Sequence, residues 1–228
     1  MMNISVTLTA NAGVCVQVGN RHIWVDALPG EKMEGFSTLS PALCRQIVRE
    51  QTLGAPDLYC CTHDHGDHYC PERTAMARHQ WPKAAFLFPE ERWGASMVTE
   101  ADGISVRFLR LPHEGAQYED VLHYGLVINC QGRNILISGD CAVASPELAA
   151  ALEGLHIDVA VLAFPWLTLR KGRLFAEKYL ANSKILLYHL PFEKDDRFGY
   201  RAAAARAVTQ WPGAELLMEP MQTVTTIL

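Results

Sequence analysis

The stretch Leu58-Tyr59-Cys60-Cys61-Thr62-His63-Asp64-His65-Gly66-Asp67-His68 decides how this chain is read. Its first four residues are apolar and have the form of a buried strand. Its last six spell H-x-H-x-D-H, three imidazoles and a carboxylate directly after that strand. A strand that stops at such a cluster points several ligand groups into one pocket. Imidazole and carboxylate suit zinc, with manganese and iron as alternatives. Chance would produce the pattern, at this chain's own His and Asp content, on the order of one time in a thousand. Asp64 holds an "x" position and is expected to make a loop hydrogen bond instead of binding metal.

Outward from this stretch, the sequence alternates strand-like and helix-like runs. Short strands are expected over residues 4–8, 13–18 and 22–25, with Asn11-Ala12-Gly13 and Gly19-Asn20 as turns between them. Ser40-Pro41 opens a helix to about residue 53, with serine as cap and proline at the first helical position. Further helices are expected over 71–80 and 89–97, around a strand at 85–88. A strand over 104–111 ends at Pro112-His113, and a hairpin of 121–129 and 134–138 turns at Gln131-Gly132. A helix over 146–155, a buried strand over 158–163, a helix over 172–180 and a strand over 185–188 follow. A helix over 198–210 and two short strands, 215–218 and 223–227, complete the pattern. Strand-rich and alternating segments in each half predict an α/β chain, with two mixed sheets packed together and helices outside. The 228 residues are expected to form one domain, 1–228.

Three more ligand types share one feature with the motif. His113, Asp140 and His189 each stand just after an apolar, strand-like run. Strand ends on one edge of a sheet converge, so these positions can meet the motif loop. The set is then His63, His65, Asp67, His68, His113, Asp140 and His189. One tetrahedral zinc needs about four ligands. Seven suit two ions that share a bridging carboxylate. His123 competes with His113, but it falls inside the expected strand 121–129, whereas His113 ends one; His113 is the expected ligand. His123 is expected behind the ligands or facing substrate, since ligand imidazoles usually have an outer partner.

Composition sets bounds on function. The formal net charge is −5, and no basic stripe is evident, which argues against a nucleic-acid surface. No apolar run has membrane-spanning length. The N-terminus lacks the regions of a signal peptide, and the seven cysteines have no framework spacing, so a cytoplasmic protein with reduced thiols is expected. The expected partner is a small-molecule substrate; oligomeric state is not legible.

With these residues in place, the chain resembles the metallo-β-lactamase fold superfamily. The resemblance runs from Ala10-Asn11-Ala12-Gly13 and Ile23-Trp24-Val25-Asp26 through the motif to Ser138-Gly139-Asp140 and Leu187-Tyr188-His189. It implies an αββα sandwich with two divalent ions, Zn2+ first and Mn2+ or Fe2+ as alternatives. His63, His65 and His113 would bind the first ion, Asp67, His68 and His189 the second, with Asp140 between them. Asp26 would brace the metal loop. Two such cations lower the pKa of a water toward neutrality. The hydroxide so formed can attack an ester, lactone or phosphoester, with Asp67 orienting it or taking its proton. Cys141 follows the bridging Asp140, where lactonases of another branch place Tyr three residues on; the chain has Val143 there. Such absences point to the compact, ascorbate-6-phosphate lactonase-like branch. A mononuclear-iron persulfide dioxygenase and a non-catalytic metal sensor are the competing readings.

Two further stretches could shape the substrate pocket. Phe164-Pro165-Trp166 follows a buried strand, and Arg170, Lys171 and Arg173 come next. If this loop faces the ions, Trp166 lies against substrate and Arg170 holds a phosphate or carboxylate.

Overall fold

The computed structural model describes residues 3–30, 33–88, 97–101 and 103–227. The first sheet has six strands in the order β13-β1-β2-β3-β4-β5. These are β1 (Asn3–Leu8), β2 (Val14–Val18), β3 (Arg21–Val25), β4 (Leu58–Cys60), β5 (Ala85–Leu87) and β13 (Thr223–Ile227). The second has seven, in the order β12-β11-β10-β9-β8-β7-β6. They are β6 (Met97–Ala101), β7 (Ile104–Arg110), β8 (Tyr124–Cys130), β9 (Arg133–Ile137), β10 (Val159–Ala163), β11 (Lys184–Tyr188) and β12 (Glu215–Leu216). Both sheets are mixed. In the first, β3, β4 and β5 pair in parallel and the rest antiparallel. In the second, β9 to β12 pair in parallel and β6 to β9 antiparallel.

Strand alternation explains the layers. Val14, Val16, Ile23, Val25, Leu58 and Cys60 pack in one core with residues of the second sheet such as Val106, Phe108 and Leu126. Their neighbours Cys15, Trp24, Tyr59 and Cys61 face the other way. There they meet α1 (Pro41–Arg49) and α2 (Pro71–Gln80) through Ile47, Val48 and Ala77. Trp24 packs edge-on to Trp81, with centroids 5.0 Å apart. A period of two therefore puts Cys60 between the sheets and Cys61 under the helices. The helices α3 (Pro146–Leu152), α4 (Pro165–Thr168), α5 (Arg170–Tyr179) and α6 (Tyr200–Thr209) contribute Leu148, Trp166, Phe175 and Ala207 to the core that includes the second sheet. This is the αββα arrangement.

Helix starts follow their caps. Ser40 accepts from the Leu43 N–H and Ser145 from the Leu148 N–H, each before a proline at the first helical position. α1 stops at Arg49, short of the expected end near 53, because Gln51 and Gly54 adopt positive φ. The hairpin of β8 and β9 turns at Gln131 and Gly132, both at positive φ.

Several expectations need correction. β6 is a strand that was not foreseen; the helix expected over 89–97 lies outside the described residues except at Met97, which begins β6. Residues 165–168, read as loop, form α4, and α5 begins at Arg170 instead of Gly172. β8 begins at Tyr124, so His123 precedes the strand instead of lying within it. Among the described residues, no helix is long and apolar enough to cross a membrane.

The sheet directions position the site. β1, β3 and β4 run the same way, so the segments after them, carrying Asn11, Asp26 and the motif, share one edge. β7, β9, β10 and β11 also run together, which brings His113, Asp140, Phe164 and His189 to the matching edge. β8 is antiparallel to its neighbours, so its start delivers His123 to that same edge.

Candidate metal centre

The loop after β4 is tied down from within. The His68 and Tyr69 N–H groups both donate to the His65 carbonyl, at 2.9 Å. The turn presents His63, His65, Asp67 and His68 to one cavity edge. Asp26, after β3, is fully buried with φ 51° and lies behind this loop. Its Oδ1 accepts from the Thr62 N–H at 2.7 Å, and its Oδ2 from the Thr62 hydroxyl at 2.8 Å. The same Oδ2 is 2.9 Å from His68 Nδ1. One carboxylate thus fixes the loop backbone and orients His68 so that Nε2 points inward.

Two other imidazoles are oriented by the same device. His63 Nδ1 meets the Thr62 hydroxyl at 2.9 Å. His113 Nδ1 meets the Glu114 carbonyl at 2.8 Å. Each ring keeps Nε2 for the centre, which is what an outer partner does for a ligand imidazole. The His189 N–H donates to the Asn11 carbonyl at 2.7 Å, and the residue holds φ 61°. Such a conformation at the end of β11 is the kind of local strain found at functional sites. The Asn11 amide sits between Asp67 Oδ2 and the Ser37 carbonyl and can donate to either. In the sequence Asn11 reads as a turn residue and as part of the stretch that carries the resemblance, with no role at the site; its burial and its reach to Asp67 and His189 come from tertiary packing.

Three sets of side chains each bring one ligand atom per residue within 4.8 Å of one another: His63–His65–His113, His63–His68–Asp140 and Asp67–His68–His189. Asp140 lies between the outer two sets. Its Oδ2 is 3.3 Å from His68 Nε2 and 3.7 Å from His113 Nε2, and its Oδ1 is 3.0 Å from His189 Nε2. His63 Nε2 and His65 Nδ1 stand 3.0 Å apart, and the His68 and His189 Nε2 atoms 3.2 Å apart. His113 Nε2 is buried with no hydrogen-bond partner, and Asp140 Oδ1 faces His189 Nε2. Buried imidazole nitrogens that face each other or have no partner cost stability unless a cation lies among them. The donor set therefore fits divalent metal.

Electrostatics separate the two outer sets. Burial, with the neighbouring His68 and His123, holds His63 well below the usual imidazole range, and burial lowers His113 as well. Both rings stay neutral, as ligands must. Burial also opposes charge on His68 and His189, yet Asp140 and Asp67 overcome it and raise both. His189 and His68 in turn hold Asp140 well below the carboxylate range, against its burial. This second set draws positive charge, which a proton or a metal ion can supply.

His113, not His123, joins His63 and His65. His123 lies behind, fully buried, with its Nε2 accepting the Asp140 N–H at 2.9 Å. Burial lowers its pKa to about 3, which keeps that nitrogen an acceptor. The turn needs glycine at 139. Its φ is 54°, and a Cβ there would lie 2.5 Å from His123 Nε2. Loop pairing completes the frame: the Glu114 N–H donates to the Asp140 carbonyl at 2.8 Å, and the Ala142 N–H to the Pro112 carbonyl at 2.7 Å. Burial and the adjacent Asp140 push the Cys141 thiol up, so it remains neutral beside the centre.

A cavity of about 430 Å³ opens over these groups. His65, Asp67, His113, Asp140 and His189 lie at its base, and Met33, Phe36, Tyr118, Val143, Phe164 and Phe198 form much of its wall. Two expectations fail here. Trp166 does not face substrate; it is fully buried in α4 and packs edge-on to Phe175. Arg170 is exposed at the start of α5 and is not among the lining residues. The short helix α4, absent from the sequence reading, turns both away.

Similar architectures occur in solved structures. Igni18, described as a novel metallo hydrolase from the archaeon Ignicoccus hospitalis, superposes with a TM-score of 0.64 at 16% identity, covering 99% of each chain. The metallo-β-lactamase fold protein YhfI from Bacillus subtilis gives 0.65 at 12% identity, over 99% of this chain and 100% of its own. This chain has the metallo-β-lactamase fold. An isothiocyanate hydrolase from Delia radicum gut bacteria also shares it, with a TM-score of 0.64, 16% identity and coverage of 96% and 98%. So does CmlA, a diiron β-hydroxylase from Streptomyces venezuelae, at 0.60 and 11% identity, where the match spans 54% of that longer chain. No protein-family model matches the sequence, and no curated protein does. The metallo-β-lactamase fold thus hosts both hydrolytic and oxidative chemistry among these neighbours, so the fold alone leaves the reaction open.

Proposed function

We propose that this chain is a metal-dependent hydrolase with a binuclear centre. The observation that carries the reading is Asp140, whose Oδ2 faces both His113 and His68 and whose Oδ1 faces His189. In this reading His63, His65 and His113 hold one divalent ion. Asp67, His68 and His189 hold the second, and Asp140 serves both. Bound ions of this kind supply Lewis acidity to a substrate oxygen and make water a better nucleophile near neutral pH. Asp67 lines the cavity base, with Oδ2 3.7 Å from His189 Nε2, and can orient a water or take its proton. Tyr118 brings a phenol to the same cavity, its ring centroid 4.7 Å from that of His113.

Elemental analysis of protein purified without chelator should give close to two transition-metal ions per chain, with zinc the leading candidate. Chelation should abolish hydrolysis, and resupplied metal should restore it. One ion at saturation would remove the two-metal assignment. The activity screen should span esters, lactones, thioesters, phosphodiesters and β-lactams. An isothiocyanate belongs in it, because one structural neighbour hydrolyses that class. Likeness to a diiron hydroxylase keeps an oxidative reading in view, as does the mononuclear-iron dioxygenase that the His63–His65–His113 set could serve. Iron in place of zinc, with oxygen consumption, would favour it.

A further inference from the structure

We infer that the centre acts on a substrate whose non-reacting part is neutral and apolar, and that it turns anionic substrates away. The inference rests on the hydrolase reading only for the word substrate; the binding preference stands on the wall itself. Around the base, the cavity is walled by Met33, Phe36, Val143, Phe164, Pro165 and Phe198. A space of about 430 Å³ suits a small molecule.

The charges on the wall have one sign. Apart from the candidate ligands, the ionised side chains among the described lining residues are Glu34 and Glu114, and no Lys or Arg is among them. Glu114 cannot swing away freely, because its Oε2 accepts from the Val143 N–H at 2.7 Å. Neither Lys171 nor Arg173 is among the described lining residues. Lys171 pairs with Glu114 Oε1 at 3.6 Å. Arg173 Nη1 donates to the Leu167 and Thr168 carbonyls at 3.0 and 3.2 Å. A carboxylate or phosphate on the substrate's outer part would face the Glu34 and Glu114 carboxylates, with no Lys or Arg among the described lining residues to meet it. This reverses the expectation of an Arg170-held anion.

The three rings of the aromatic wall share one neighbour. Tyr200, the first residue of α6, stacks on Phe36 with centroids 6.0 Å apart and lies 4.7 Å from Phe164 and 5.4 Å from Phe198. It gathers rings from three separate segments into one surface. Phe198 is nevertheless 59% exposed at the rim. There its ring lines the cavity and can cover an apolar group of a bound molecule.

Matched probes test this on the metal-loaded protein. Phenyl acetate and 4-acetoxybenzoate differ by one carboxylate on the ring, as do their non-hydrolysable counterparts acetanilide and 4-acetamidobenzoate. Binding of the amides is measured by calorimetry and turnover of the esters by product release. Acetanilide should bind at least tenfold more tightly than its carboxylate partner, and Phe198→Ala should weaken it several-fold. The double variant Glu34→Gln, Glu114→Gln should narrow the gap between the partners. Binding preference without turnover of the esters would count against the hydrolase reading and leave this inference standing. Equal or tighter binding of the carboxylate, or no binding of acetanilide with metal in place, would overturn it.

Discussion

In the candidate metal centre under the cavity, His63, His68 and His113 are each held from behind by a hydrogen bond at Nδ1, to Thr62, Asp26 and the Glu114 carbonyl. On the wall, Phe36, Phe164 and Phe198 have no such partner and are gathered by ring contacts with Tyr200. The base is directional and specified atom by atom. The wall is specified only by shape and by the absence of positive charge among its described residues. Removing one atom pair from the base should therefore disturb chemistry and stability together, whereas loosening the wall should disturb recognition alone.

The largest expected effect is at Asp140. Asp140→Ala removes the oxygens that face both outer ligand sets and should lower metal content below two per chain. Loss of several kcal/mol of charge stabilisation corresponds to a fall in turnover of about 10³-fold or more. Elemental analysis beside the rate would show whether the two losses travel together; full metal with full loss of rate would break the link. Next comes Asp26→Ala, which leaves the Thr62 N–H and His68 Nδ1 without their acceptor. Outer partners of this kind are worth about 10–100-fold in metal affinity. Stripping a buried carboxylate from its partners should also lower unfolding free energy by about 3 kcal/mol. Competition with a chelator and denaturant titration report the two separately.

The two competing histidines give a sharper contrast. His113→Ala should lose metal from the first set, since its Nε2 is a ligand atom of that set. His123→Ala should keep the metal but leave the Asp140 N–H unpaired, at a cost of about 1–3 kcal/mol in stability. Exchanged phenotypes would show that the base is built the other way round.

On the wall, Tyr200→Ala should raise KM for a neutral aryl ester about three- to tenfold, with kcat and metal content nearly unchanged. An equal drop in kcat would mean that the wall reaches the chemistry and does not serve recognition alone. The smallest effect belongs to Lys171→Ala. The Lys171–Glu114 pair is half exposed on both sides, so stability should move by no more than about 0.5 kcal/mol. Its loss uncovers more of the Glu114 charge and should widen the preference for neutral over anionic probes slightly.

The motif at 63–68, the Gly139-Asp140 turn and the ends of the strands at 113 and 189 were readable because each couples a local signal to a ligand type. An apolar run followed by His or Asp is visible in one dimension. Period-two alternation likewise separates Cys60 from Cys61 and Trp24 from its neighbours. His123 was legible only in part: the candidate was evident, but its place before β8 depends on where an antiparallel strand begins. Trp166 and Arg170 were misplaced because a four-residue helix carries too few positions to show a period.

By itself, then, the sequence determined the layered α/β architecture and the ligand chemistry at the cavity base, since strand periodicity and ligand identity are local properties. Tertiary structure alone decided the wall. Phe36, Phe164 and Phe198 lie far apart in the chain, and the Ser37 hydroxyl, bonded to Asp195 and to the Phe192 N–H at 2.8 Å each, ties the first of their segments to the last. Hydrophobic side chains pack without direction or fixed spacing, so which of them meet around a cavity is settled only when the sheets and loops close.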